Sequence, residues 1–145
     1  MSKSWVRMRR AAVALAGALL FSASASAVEV SPHRAIYDLS LQHASRSLLR
    51  RMKRWGDGDR FLASIDAIRS AEPEAAFRSS FIVGFPGETE AYFKSLLEFI
   101  EETRFERLGI FTYSREEGTR AGGMAGQVTD RVKQRRRKQA MAAQH

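Results

Sequence analysis

Apolar positions recur along this chain in two alternating periods, and the alternation predicts its elements. Tyr37, Leu39 and Leu41 alternate with Asp38 and Ser40, the period of a half-buried strand, within an extended segment over residues 28–41. Asp59 can cap a helix whose apolar positions Phe61, Leu62, Ile65 and Ile68 return at helical spacing, and Ala71-Glu72-Pro73 stops it. Residues 77–85 predict a second strand. A second helix follows Thr89 and turns Phe93, Leu96, Leu97 and Ile100 to one side. Glu88 and Glu90 fall near its start, where the helix dipole favours acids. Residues 108–113 predict a third strand, and the glycine-punctuated stretch 114–128 reads as loop. A polar, basic helix begins near Thr129.

Strand and helix in strict alternation predict an α/β fold: a parallel sheet with right-handed crossovers. About three β/α units are present, whereas a closed β/α barrel takes about 250 residues. The expected architecture is therefore part of a TIM-like barrel. Its edges would be open and its inward face apolar, which predicts a marginal, association-prone arc.

The first residues change the picture. Lys3, Arg7, Arg9 and Arg10 precede an apolar run over residues 11–21, and small residues end in Ala25-Ser26-Ala27. A basic start, a short apolar run and a small-residue cleavage site are the parts of a secretory signal peptide, in order. A buried apolar helix is the competing reading. Cleavage after Ala27 would lower the formal charge from +8 to +4, so much of the basicity would belong to targeting. The chain has no cysteine, which excludes disulfides and thiolate metal sites. His33, His43 and His145 lack metal-ligand spacing.

The run from Phe81 to Glu90 (Phe-Ile-Val-Gly-Phe-Pro-Gly-Glu-Thr-Glu) carries the strongest chemical signal. It is a strand that ends in a glycine and a Pro-Gly turn at a helix start, where ligands bind in α/β folds. It resembles the fifth-strand motif of radical S-adenosylmethionine (SAM) methylthiotransferases. Phe111-Thr112-Tyr113-Ser114-Arg115-Glu116-Glu117-Gly118-Thr119 resembles the next strand of that family. Its acidic pair is closer to the RimO type, which modifies an aspartate of a small-subunit ribosomal protein, than to the tRNA-modifying type. Leu41-Gln42-His43-Ala44-Ser45 and Leu48-Leu49-Arg50-Arg51-Met52-Lys53-Arg54 resemble the RimO-type fourth strand and the helix after it.

The resemblance covers residues 41–145 and implies a radical SAM transferase. Such enzymes use S-adenosylmethionine and 4Fe–4S clusters to generate a 5′-deoxyadenosyl radical. It implies SAM-facing roles for Ile82, Val83, Gly84, Phe85, Pro86, Gly87 and Gln42, with a ribosomal protein as substrate and the cytoplasm as workplace. The clusters are held by cysteines, so this chain alone is expected to bind no cofactor cluster, to hold no metal and to show no turnover. A catalytic residue is not assigned.

Pro32-His33-Arg34-Ala35-Ile36-Tyr37-Asp38-Leu39-Ser40-Leu41, after the leader, resembles the mature start of the EipB envelope-integrity family. The two resemblances meet within residues 39–45 without a linker, which implies a chimera or fragment. The expected organisation is a signal peptide (1–27), an extended EipB-like segment (28–40), a partial barrel (41–128) and a basic helix (129–145). The competing function is an exported periplasmic binding module without catalysis and with no membrane span once the leader is cleaved.

Three further features are weighed. Arg131, Lys133, Arg135, Arg136, Arg137 and Lys138 can contact RNA phosphates, but no aromatic residue is interleaved, so a solvated helix is the stronger reading. Arg78 either meets a carboxylate or snorkels to water. Trp55-Gly56-Asp57-Gly58-Asp59 reads as a turn and helix cap.

Overall fold

The computed structural model describes residues 34–144. The expected leader and most of the expected extended segment before the first strand lie outside these residues. Strands β1 (Ile36–Gln42), β2 (Ala76–Val83) and β3 (Arg107–Thr112) form one parallel sheet in the order β1-β2-β3. Helices α1 (Arg46–Arg51) and α2 (Gly58–Ala71) join β1 to β2, and α3 (Glu90–Thr103) joins β2 to β3. Helix α4 (Asp130–Ala142) returns onto β3, β2 and α3. The expected α/β arc of three units is what forms. Strand β1 straddles the junction drawn within residues 39–45 and pairs along its length with β2.

Side-chain oxygens start three of the helices. Ser45 accepts from the Leu48 amide, Asp57 from the Arg60 amide and Thr89 from the Tyr92 amide. The cap of α2 is thus Asp57, two residues before the Asp59 expected from the sequence, because Gly58 already takes helical geometry. Helix α3 begins after Thr89, which leaves Glu88 outside it, so Glu88 does not serve the helix dipole as the sequence suggested. Its buried face is also wider than predicted: Phe99 and Thr103 join Phe93, Leu96 and Ile100, while Leu97 is half-buried.

The core fills the space between one sheet face and the helices. Phe77, Phe81 and Val83 of β2 are fully buried there, and the Ser79 hydroxyl on the same face donates to the Leu39 carbonyl at 2.6 Å. The rings of Phe81, Phe99 and Phe105 meet edge to face at centroid distances of 5.7–6.1 Å.

The opposite face corrects an expectation. Alternation places Asp38 and Ser40 of β1, Arg78 and Ser80 of β2, and Arg107 and Gly109 of β3 on it. Ile36 and Phe111 are its exposed large apolar residues. The inward face of this arc alternates polar residues with Ile36, Ile82 and Phe111, so the apolar surface invoked for association is present but broken up by charge. Arg78 meets a carboxylate, but that of Asp38 beside it on β1, with its Nε 3.0 Å from Oδ2.

Candidate functional site at the carboxyl ends of the strands

All three strands end on one edge of the sheet. Past that edge lies a cleft of about 440 Å3, within the range of about 300–1,000 Å3 usual for ligand pockets. Its floor is apolar and aromatic: Ile82, Phe85, Tyr113, Met52 and Met124. Arg51, Lys53, Arg54 and Arg120 line it together with Gln42, and no acid does. The Tyr113 ring packs edge-on against Phe85, with centroids 5.2 Å apart. Its hydroxyl is buried and has no hydrogen-bond partner. A buried phenol without a partner is costly.

Three of the residues assigned from the sequence reach this cleft: Gln42, Ile82 and Phe85. The other four hold the turn behind it. Val83 is fully buried. Gly84 takes φ +78°, and a Cβ there would lie 2.3 Å from Cγ of Lys133. The Pro86 carbonyl accepts from Arg51 Nε at 3.1 Å, and the Gly87 amide donates to the Gly126 carbonyl at 2.8 Å. Gln42 itself has φ +71°, a left-handed conformation that turns the chain sharply off β1 toward His43.

Beneath the turn runs a buried polar network. The Ser45 amide donates to His43 Nδ1 at 2.9 Å, which leaves the imidazole proton on Nε2. That N–H donates to Glu88 Oε1 at 3.1 Å. The other carboxylate oxygen, Oε2, accepts from the Gly84 amide at 2.7 Å and from Arg136 at 2.6 Å. Arg136 also donates to the Glu88 carbonyl and stands over the Phe93 ring. His43 and Glu88 side chains are fully buried and Arg136 nearly so. One carboxylate thereby ties the end of β1, the end of β2 and helix α4 together.

Helix α4 is solvated along most of its length, as expected, but docks one face through Lys133, Arg136 and Ala140. Lys133 and Arg136 are buried, Arg135 pairs with Glu90, and Arg137 donates to the Ile110 carbonyl at 3.1 Å. Lys133 also sits over the Tyr113 ring. Glu88, Arg136 and Tyr113 were not among the residues assigned to the site. Acid and arginine are 48 residues apart, and only docking of α4 joins them.

Glu90 lies at the solvent side of this network. A hydrogen bond from Arg136, helped by a weaker one from Arg135, holds its carboxyl below the usual carboxylate range against an opposing desolvation effect second in size only to the Arg136 bond. A lowered folded-state pKa adds stability above the unfolded pKa of roughly 4.3 and loses it as pH falls through the folded value. Glu90 is largely exposed, so the gain is small. Thermal melts of Glu90→Gln should lie slightly below wild type at pH 7, with the gap closing as pH drops below about 4. A gap that persists at low pH would contradict this origin.

The model of the radical SAM superfamily matches residues 33–100. The ribosomal protein uS12 methylthiotransferase RimO of Salinispora tropica is 49% identical over 117 residues, covering 81% of this chain and 22% of that protein. RimO of Herpetosiphon aurantiacus is 51% identical over 107 residues, 74% of this chain and 23% of the relative. RimO of Cutibacterium acnes is 54% identical over 101 residues, 70% and 21%. The chain thus spans between a fifth and a quarter of these relatives. Among solved structures, coproporphyrinogen III oxidase (HemN) from Escherichia coli superposes with a TM-score of 0.62 at 19% identity, over 74% of this chain and 25% of that one. That likeness concerns the fold. Among the described residues no helix is long and apolar enough to cross a membrane, and no cluster of His, Asp and Glu would hold a metal ion. In sequence, residues 33–100 thus resemble the radical SAM superfamily, and most of the chain is similar to a part of the RimO methylthiotransferases.

Proposed function

We propose that this chain is the SAM-facing wall segment of a uS12-type aspartate methylthiotransferase. The observation that carries the reading is the cleft at the strand ends, with an apolar, aromatic floor and a cationic rim. SAM combines a flat adenosine and a carboxylate with two cations, an ammonium and a sulfonium; the lining suits the adenosine and the carboxylate, and acceptors for the two cations would come from the remainder of a complete enzyme. Ile82, Phe85 and Tyr113 would hold the adenosine, with Gln42 beside it. Arg120 or Lys53 would meet the carboxylate. Val83, Gly84, Pro86 and Gly87 would fix the turn that shapes the floor. A 4Fe–4S cluster does not fit this chain, which has no cysteine to bind one. No cluster-dependent step is therefore assigned to it, and turnover by the chain alone is not expected. The substrate of a complete enzyme would be a ribosomal protein aspartate, met in the cytosol.

The test is equilibrium dialysis of the full chain against labelled SAM. Saturable binding is expected, weakened about tenfold in Tyr113→Ala, which removes the ring available for stacking. Equal binding by wild type and Tyr113→Ala, or none at millimolar SAM, would overturn the placement. An exported module without catalysis gains no support from a fold of this kind.

A further inference from the structure

Helix α1 and the turn after it present a second cationic surface, separate from helix α4. Arg46 and Arg50 lie one turn apart on α1, Arg54 and Trp55 follow in the turn, and Arg60 projects from the first turn of α2. Together they bound a depression of about 140 Å3. Trp55 is 80% exposed, a conspicuous placement for an indole. The acid in the depression, Asp57, already caps α2 and lies 3.9 Å from Arg60. Arg46 and Arg50 have no acidic partner among the described residues. Arg54 lines both this depression and the large cleft, so the positive surface runs from Trp55 to the strand ends.

We infer that this surface binds single-stranded RNA, with guanidinium groups on the phosphates and a base stacked on Trp55. Single-strand sites combine these two elements: a positive track along the backbone and an exposed aromatic face for a base. An acidic peptide needs the charge but not the exposed indole. An anionic membrane calls for an apolar helix face, and the exposed side of α1 is arginine with one tryptophan beside it. Helix α4, the basic cluster most visible in the sequence, is a poorer site. Two of its cations are buried and none stands beside an exposed aromatic ring, whereas Arg54 of the α1 surface, although its Nη1 donates to the Ser40 carbonyl at 3.3 Å, is exposed next to Trp55. The inference is independent of the methylthiotransferase reading and of SAM binding.

Fluorescence anisotropy of the full chain with a labelled, mixed-sequence RNA single strand tests it over a range of salt. Binding is expected in the ~1–100 µM range usual for sequence-independent contacts. Trp55→Ala should weaken it about tenfold. Arg46→Glu with Arg50→Glu should weaken it further and flatten the log–log salt slope by roughly 1.4, since each phosphate contact on a single strand contributes about 0.7. These positions are exposed, and unchanged circular dichroism will show that the fold is kept. Arg131→Glu with Lys138→Glu on α4 should stay within twofold of wild type. The inference is overturned if wild type does not bind RNA, if the α4 variant loses binding while the α1 variant keeps it, or if Trp55→Ala binds as wild type does. It is also overturned if a polyglutamate peptide competes as well as unlabelled RNA, which would mark an acidic protein as the partner.

Discussion

Glu88→Ala should cost about 3–5 kcal/mol of folding stability, the penalty for removing one member of a buried pair, with Arg136 left only its solvent-side partner Glu90 at 2.9 Å. Arg136 is nearly enclosed and its NH1 relies on Glu88 for both the carboxylate and the carbonyl contact. The same truncation strips the acceptor from the Gly84 amide and from His43 Nε2. A whole domain is stable by only ~5–15 kcal/mol, so this variant should retain little cooperative unfolding. Arg136→Met strands the carboxylate instead and should be similarly costly. The pair Glu88→Leu with Arg136→Met removes both charges and should cost less than the two single changes summed, by up to ~3 kcal/mol. Urea titrations followed by circular dichroism measure all of these. A loss below ~1 kcal/mol for Glu88→Ala would mean that the network is not what fixes the turn.

That network also marks the limit of what the sequence showed. The strands and helices were legible because each buries one face, and period two or period 3.6 records that face directly. Phe93, Leu96 and Ile100 are buried where the spacing put them. The docked face of helix α4 was missed because its anchors are cations. Lys133 and Arg136 are three residues apart and so share a face, but burial of such residues becomes visible only once their partners are placed. Glu88 was credited to the helix dipole for a similar reason. Its neighbours in space, His43 and Arg136, lie 45 and 48 residues away. The inward face of the sheet was expected to be apolar, and alternation gives a mixture instead. Asp38, Ser40, Arg78, Ser80 and Arg107 share it with Ile36, Ile82 and Phe111. The cleft was legible in part: the Gly84 to Gly87 turn was recognised, whereas Tyr113, Arg51 and Arg120 come together only when the loop after β3 folds over the strand ends.

The second large effect concerns Gly84, where the turn and helix α4 touch. Its φ of +78° favours glycine, and a Cβ built there falls 2.3 Å from Lys133 Cγ and 3.1 Å from Cδ. Lys133 cannot swing clear at no cost, because its stem is buried between Gly84 and the Tyr113 ring and its amine bonds Asp130 at 3.1 Å. Gly84→Ala therefore carries two penalties. The left-handed backbone costs ~1–2 kcal/mol for a residue with a Cβ, and the overpacked contact costs a further ~1–3 kcal/mol. The sum, ~2–5 kcal/mol, would push α4 away from the strand ends and disturb the floor beside Tyr113. The two parts separate in the background of Lys133→Ala, which removes Cγ and Cδ and leaves the backbone strain alone. There the added cost of Gly84→Ala should fall to ~1–2 kcal/mol. Chemical denaturation of the four variants measures the difference. If the cost of Gly84→Ala is the same with lysine or alanine at position 133, α4 does not pack on the turn as described, and the coupling of this helix to the cleft would have to be abandoned.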